Sequence, residues 1–313
     1  MNYVVTGGAG FIGSHIIEYL VDHGHDVTVV DNLFSGKKEN IRHLLDHPRF
    51  HFVQGSITDS GLLDDTFRNA DGIFHQAAIP SVPRSIRDPV ATNEVNVNGT
   101  LAVLMVAKKC GVRKVVYASS SSVYGDTPTL PKVETMTPHP KSPYAVSKLA
   151  GEYYCRVFSE VYGLKTVALR YFNVFGPRQD PESQYAAVIP RFITRVLAGQ
   201  PPIIYGDGTQ TRDFTYVKDV VQANVKAMES TADGVFNVAY NQRISILSLV
   251  DIIAEETGMK VSPVFEPPRP GDIHDSQADI TAAQKAFGYA PDYTVRSGLK
   301  ETIAWYRRNV AMP

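Results

Sequence analysis

The chain has only two cysteines in 313 residues. Cys110 and Cys155 stand in helix-like surroundings with no CxxC spacing, which argues against a disulfide framework or a zinc site and for a reducing compartment. The nine histidines hold one close pair, His23 and His25, and no HExxH. No metal site is expected, and these read as solvated loop histidines. Charge of one sign is also missing. Thirty-one Lys and Arg against 32 Asp and Glu leave a net charge of -1, so no global positive field recruits nucleic acid or an anionic membrane. The basic pairs Lys37-Lys38, Lys108-Lys109 and Arg307-Arg308 read as solvated faces. No apolar run approaches transmembrane length. The opening MNYVVTGGAG has neither a basic stretch nor an apolar core with a cleavage site. The expectation is a soluble, cytoplasmic protein.

What is present is ordinary globular usage, 43% hydrophobic and 20% charged, enough for one large domain or two modest ones. Short β-branched runs alternate with helix-like segments. Tyr3–Thr6, Val27–Val30, Phe50–Gln54, Gly72–Phe74, Lys114–Ala118 and Thr166–Arg170 are nearly unbroken apolar runs, as parallel strands covered on both faces require. The periodic segments between them end in glycine, as helices often do. This is the pattern of an α/β fold with a doubly wound parallel sheet. After Arg170 the rhythm loosens at Pro177, Pro181, Pro190, Pro201 and Pro202. FTYVKDVVQANVKAM and GVFNVAY then read as one more helix and strand of the first sheet. A helix capped by Ser245, the stretch EPPRPGD and a last helix near Ser297–Arg308 form a smaller lobe. The division expected is 1–171 plus about 214–238 for the Rossmann part, and about 172–213 plus 239–313 for the other.

TGGAGFIG follows the first strand and opens the first helix. Gly7, Gly10 and Gly13 supply a tight turn, close approach of backbone to a pyrophosphate, and a helix N-terminus aimed at the anion. The second strand ends about twenty residues on in Asp31, where a carboxylate accepts from a ribose 2′-OH and repels a 2′-phosphate, so NAD is favoured over NADP. In KSPYAVSK, Ser142 is an N-cap and Pro143 the first helical residue. Tyr144 and Lys148 then share one helix face. A nearby ammonium and a positively charged nicotinamide both favour phenolate, making Tyr144 a general base near neutral pH.

The chain resembles the extended short-chain dehydrogenase/reductase family over essentially its whole length. TGGAGFIG, Asp31, NVNGT (Asn96–Thr100), SSSSVYG, YAVSK, RYFNVFGP, TRDFTYVKD and RPGD match in order. Within the family it is most similar to the UDP-hexose 4-epimerases, particularly the branch that also accepts N-acetylated sugars. The resemblance implies NAD as a tightly held cofactor, with Ser120, Tyr144 and Lys148 catalytic. It places Phe11, Ile12, Asn32, Ser35, Gly36, Ser56, Ile57, Gln76, Ala77, Ala78, Pro80, Asn96 and Phe172 at cofactor-lining positions. Ser56 departs from the pattern, since many relatives carry Asp there, facing the adenine. Asn173, Arg212, Arg269 and Asp272 fall at contacts to the UDP-sugar.

In the family, 4,6-dehydratases carry an Asp-Glu pair in the two places before the Val of VYG, and UDP-glucuronate decarboxylases a Glu directly before it. Here those places are Ser121 and Ser122. Hydroxyls of ordinary pKa do not do that acid–base work, so the serines imply oxidation and re-reduction at C4 and nothing further, with Ser121 and Ser122 bonding sugar hydroxyls. A solvated serine turn remains the other reading for Ser122. The residue four places after the Asp of RPGD is Ser276, small where a tyrosine would restrict the pocket, which implies room for an N-acetyl group. UDP-glucuronate 4-epimerase is the alternative activity, with Asn173 in place of its usual Thr speaking against it. A non-catalytic NAD-binding protein on this fold is the alternative from another class. Family members commonly pair two long helices from each subunit. Here Asn93–Lys109 and Tyr144–Tyr162 carry apolar and small residues on more than one face, so a homodimer is expected.

Overall fold

The computed structural model describes residues 1–181, 187–268 and 274–309. Its frame is a seven-stranded sheet. The strands are β1 (Asn2–Thr6), β2 (Asp26–Asp31), β3 (Phe50–Gln54), β4 (Gly72–His75), β5 (Lys114–Ser120), β6 (Lys165–Tyr171) and a last strand, Gly234–Val238. The spatial order is 3-2-1-4-5-6, with Gly234–Val238 outside β6. All six pairings are parallel. This is the dinucleotide-binding strand order, with the crossover between β1 and β4 at the carboxyl ends of the strands.

The apolar runs need no alternation because both faces are covered. Val5, Val29, Phe74, Val116 and Leu169 pack on one side with Ile16, Ile17 and Val220, from the helices Phe11–Asp22 and Val217–Glu229. Their strand neighbours Val4, Val30, Ile73, Val115 and Ala168 pack on the other side. They meet Leu63, Val103, Leu104 and Phe158 from the helices Ser60–Phe67, Gly99–Lys109 and Pro143–Tyr162. Successive side chains point to opposite faces of a strand, so each strand feeds both cores.

The expected long helix from Asn93 to Lys109 runs without a break but is not α-helical throughout. Pro89–Asn93 is α-helical, Glu94–Asn98 forms a π-turn, and Gly99–Lys109 resumes the α-helix. The cause is Asn96, which is 1% exposed. Its side chain is drawn in to accept from Ile79 N (2.7 Å) and to donate to Ile79 O and Ser147 Oγ. π-turns of this kind concentrate at functional sites. Gly99 follows it closely packed, where a Cβ would lie 2.6 Å from Ile57 Cδ1.

The second lobe has its own core of Phe175, Ile189, Phe192, Phe214, Leu249, Ile253, Leu299 and Tyr306. It is tied together by two-stranded pairings too short for sequence periodicity to show: Val174–Phe175 with Thr215–Tyr216, Thr211–Asp213 with Arg243–Ser245, and Ile203–Tyr205 with Val264–Glu266. Ser245 caps its helix as expected, accepting from Ser248 N at 3.0 Å. Among the described residues, no helix is long and apolar enough to cross a membrane.

Candidate active site

β1 delivers the glycine loop to the start of the helix Phe11–Asp22. A Cβ on Gly7 would lie 2.6 Å from Ala77 N, and one on Gly13 2.3 Å from Gly7 O. Loop, helix and β4 exit therefore meet backbone to backbone, as close packing around a pyrophosphate requires. Gly10 is the N-cap, no side chain caps the helix, and its first turn carries no acid. A main-chain donor set of this kind suits an anion. Asp31 ends β2, 8% exposed, and its carboxylate accepts from Ala9 N (3.0 Å) and Leu33 N (2.8 Å). Burial pushes its pKa up, and these two bonds pull it down. Gly36 lies against it, where a Cβ would approach Oδ2 to 2.8 Å. This cradle fits a dinucleotide.

The other cofactor-lining candidates divide. Asn32, Ser35 and Pro80 are exposed around the cleft, and Phe11, Ile12, Ala77 and Ala78 are half-buried. Asn32 Oδ1 accepts from Phe34 N. Ile57 and Phe172 are buried. Asn96 is wholly engaged by Ile79 and Ser147, and the Gln76 amide donates to Tyr171 Oη and Asn224 Oδ1, both at 3.1 Å. Ser56 Oγ turns back on its own loop, 2.8 Å from Thr58 Oγ1 and accepting from Thr58 N.

The helix Pro143–Tyr162 begins as its sequence dictates, with the Ser142 hydroxyl accepting from Ala145 N and Pro143 in the first turn. It lays Tyr144 and Lys148 along the end of β5. The Lys148 ammonium, 4% exposed, donates to Ala118 O at 2.9 Å. It stands 5.9 Å from the Tyr144 ring centroid and 5.1 Å from that of Tyr117. Burial draws Lys148 down to about 8. Burial pushes the Tyr144 phenol up, and its hydrogen bond with the Ser120 hydroxyl pulls it down. Ser120 Oγ also accepts from Ser122 N, capping the turn Ser121–Tyr124. The Ser122 hydroxyl is buried with no hydrogen-bond partner, so the solvated-turn reading does not hold for it.

Behind the dyad runs a polar seam that the sequence did not show. His75, 1% exposed, has Nδ1 2.7 Å from Thr6 Oγ1 and Nε2 3.0 Å from Thr100 Oγ1. Thr100 spends its hydroxyl proton on Asn96 O at 2.6 Å. His75 must therefore carry its proton on Nε2 and accept at Nδ1. Burial, reinforced by the Lys148 charge, lowers its pKa to about 3.

The substrate candidates converge from three segments. Asn173 Nδ2 donates to Asp213 O at 2.9 Å and reaches Ser276 Oγ at 3.4 Å. Ser276 N donates to Thr211 O, and Arg212 Nη1 donates to Thr211 O and His274 O. Asn173 takes φ 36°, a left-handed conformation that asparagine tolerates better than most residues. Asn173 and Arg212 face a cavity of about 280 Å³ lined also by Phe175, Arg191, Tyr205 and Phe214. Its aromatic walls with a few polar groups have the makeup of a ligand pocket. Arg269 and Asp272 lie outside the described residues. Sequence reading missed Asp213, which is fully buried. Its carboxylate accepts from Tyr240 N and Ala278 N, both at 3.1 Å, and is bonded as well by the main chain of Asn241 and Gln242. The only local signal was its place in TRDFTYVKD.

Comparison with known proteins agrees with this geometry. The chain is 40% identical over 312 residues to a UDP-glucose 4-epimerase of Mycolicibacterium smegmatis, covering 98% of this chain and 99% of that one. The structure superposes with a TM-score of 0.96 on a UDP-N-acetylglucosamine 4-epimerase from Methanobrevibacter ruminantium in complex with UDP-N-acetylmuramic acid, at 42% identity and 99% coverage of both chains. It superposes with a TM-score of 0.89 on a Thermus thermophilus UDP-glucose 4-epimerase complexed with NAD, at 39% identity, covering 99% of this chain and 100% of that one. A sequence model of the NAD dependent epimerase/dehydratase family matches residues 3–241, and with full-length relatives at this identity the chain belongs to that family.

Proposed function

We propose that this protein is a UDP-hexose 4-epimerase that inverts C4 of UDP-glucose/UDP-galactose and of UDP-N-acetylglucosamine/UDP-N-acetylgalactosamine. The observation that carries the reading is the rim of the site. Ser120 lies against Tyr144, and Ser121 and Ser122 stand where dehydration or decarboxylation would need a carboxylate. Tyr144 accepts the proton of the sugar 4-OH, Ser120 holds that hydroxyl in line, and Lys148 favours the phenolate by its charge. NAD, when bound in the cradle of the glycine loop and Asp31, would supply a hydride acceptor and donor at C4 and a positive ring that assists the phenolate. The 4-keto sugar turns within the site so that its other face would receive the hydride, and Tyr144 returns the proton to the 4-oxygen. Asn173 and Arg212 hold the diphosphate side, with guanidinium suited to phosphate oxygens. Net redox is zero, so the reaction consumes no external oxidant or reductant.

Ser276 beside Asn173 supports room for a 2-acetamido group, because a phenol ring in its place would overpack the pocket. The test is a panel of UDP- and dTDP-sugars, with products resolved by chromatography, on native protein and Ser276→Tyr. Interconversion of both C4 pairs by the native enzyme, with only the acetamido pair lost in the variant, is the expected result. A 4-keto-6-deoxy product, turnover of UDP-glucuronate alone, or no turnover would reject the reading.

A homodimer is part of the proposal. Val146, Tyr153, Val157 and Val161 form an exposed apolar stripe on Pro143–Tyr162, and Met105 is exposed on Gly99–Lys109. Such a stripe calls for a partner surface. Sedimentation showing only monomer at micromolar concentration would refute it.

A further inference from the structure

The helix that carries Tyr144 and Lys148 carries Glu152 one turn further along the same inward face. Positions four apart on a helix are neighbours, so Lys148 and Glu152 are within reach of an ion pair with each other. The structure gives them separate partners instead. Lys148 donates to Ala118 O. Glu152 forms a bidentate pair with Arg170 of β6, with Nε to Oε1 at 2.9 Å and Nη2 to Oε2 at 2.7 Å. Both side chains are almost wholly buried, at 4% and 2% exposed. Glu152 Oε1 also accepts from the Ser119 hydroxyl, the residue just before Ser120. Arg170 stacks its guanidinium 4.6 Å over the Tyr124 ring, which closes the serine turn, and Ser119 and Arg170 are register partners in the sheet.

We infer that Arg170 and Glu152 are positioning residues of the epimerase site, each neutralising a buried charge that would otherwise act on the Tyr144–Lys148 dyad. Two consequences follow from the geometry. Without Arg170, Glu152 is a carboxylate in a low-dielectric interior with one cation in reach along its own helix, Lys148. Drawing that ammonium away removes from Tyr144 the charge that favours its phenolate. Without Glu152, Arg170 is an uncompensated cation behind the serine turn, and its field favours the phenolate. The pair together is neutral and leaves the dyad to its own chemistry. Unpaired buried charges are far costlier than paired ones, so each single variant also loses stability, and the direction of the pH shift is what separates the charge effect from general loosening.

Other charged or titratable groups do not take over this role. Tyr117 from β5 and Cys155 from the same helix face the dyad and are held protonated by burial. His75 from β4 is held neutral. Glu134 is the other acid that feels Arg170, and it is engaged by Asn237 N at 2.7 Å.

The inference rests on the reading of Tyr144 as the base, and its test separates the two. Turnover of UDP-glucose is measured against pH for native protein, Arg170→Met, Glu152→Met and the double variant, each at known NAD content. The milder Arg170→Gln and Glu152→Gln serve where a methionine variant does not fold. The rising, low-pH limb of kcat should move up by about one pH unit in the Arg170 variants and down by a similar amount in the Glu152 variants. In the double variant it should return near its native position. A merely structural pair lowers activity without moving the limb. Unmoved limbs, or both single variants shifting the same way, overturn the inference. Tyr144→Phe is run alongside. If it is inactive while the limbs stay put, only the inference fails; if it keeps its activity, the reading of the base fails and the inference with it.

Discussion

The proposed cofactor half and the proposed nucleotide-sugar half are built from different kinds of sequence. The first is made of contiguous motifs. β1, the glycine loop and its helix are neighbours in the chain, and so are Ser142, Tyr144 and Lys148. The second is made of fragments. Asn173, Arg212 and Ser276 come from segments up to about a hundred residues apart (|i−j| is 103 for the first and last), held in place by one buried acid, Asp213. Local motifs announce the first site, with long-range bonds such as Lys148 to Ala118 O completing it, whereas the second is assembled by long-range hydrogen bonds. The two halves should therefore fail in different ways.

Tyr144→Phe breaks the cofactor half at its chemistry alone. Turnover should fall by about 10²–10⁴-fold, with NAD content unchanged. A variant retaining more than roughly a tenth of native turnover would be incompatible with a general base.

Asp213→Asn breaks the other half at its hub. The amide turns a donor toward main-chain N–H groups that need an acceptor, and a buried unsatisfied donor costs about 1–3 kcal/mol. The KM for UDP-sugar should rise by roughly tenfold or more, since 1.4 kcal/mol is one decade, while NAD binding holds. An unchanged KM would mean that the loops around Tyr240 and Ala278 are held by something else.

The smallest effect sharpens the contrast through pH. In the cofactor half, burial lowers His75 and His15 to about 3. Their folded values lie below the unfolded value near 6.5, so the unfolded chain binds more protons. Their contribution is complete above about pH 6.5 and is lost as pH falls toward 3. In the other half, burial raises Asp213 to about 7, against the pull of four main-chain donors. Its contribution is complete below about pH 4 and is lost as pH rises through about 7. Between about pH 4 and 6.5 the two halves oppose each other. Each proton changes the slope by about 1.4 kcal/mol per pH unit. Thermal midpoints across this window should fall more steeply on acidification in Asp213→Asn than in native protein, and less steeply in His75→Gln. The same slope in all three proteins would show that neither group changes its proton state on folding.

Legibility follows the same division. The first six strands were readable as β-branched runs, because strands buried on both faces leave no polar residue to interrupt them. The caps at Ser142 and Ser245 were readable because a cap is decided within four residues. The π-turn at Glu94–Asn98 was not, since its cause is the grip of Asn96 on Ile79 and Ser147. Nor was the Glu152–Arg170 pair, although both residues lie within or beside quoted motifs, because an i, i+4 lysine was the nearer partner on paper. Two- and three-residue strands carry too few side chains to show a period. Gln76 and Asn96, expected against the cofactor, spend their amides on the protein itself.

The interleaving of the two halves also bears on how the chain is made. The last strand of the large sheet, Gly234–Val238, lies outside β6, and the helix before it, Val217–Glu229, covers the face shared with Phe11–Asp22. Both emerge from the ribosome only after Val174–Phe175, Ile203–Tyr205 and Thr211–Asp213 have left it. During synthesis β6 therefore stands as an open edge, with one apolar face of β5 and β6 uncovered, while more than sixty residues follow. An exposed strand edge invites pairing with other chains, and vectorial synthesis from the N-terminus lengthens that exposure. The nascent cofactor half is thus the stage at which this chain has most need of a chaperone.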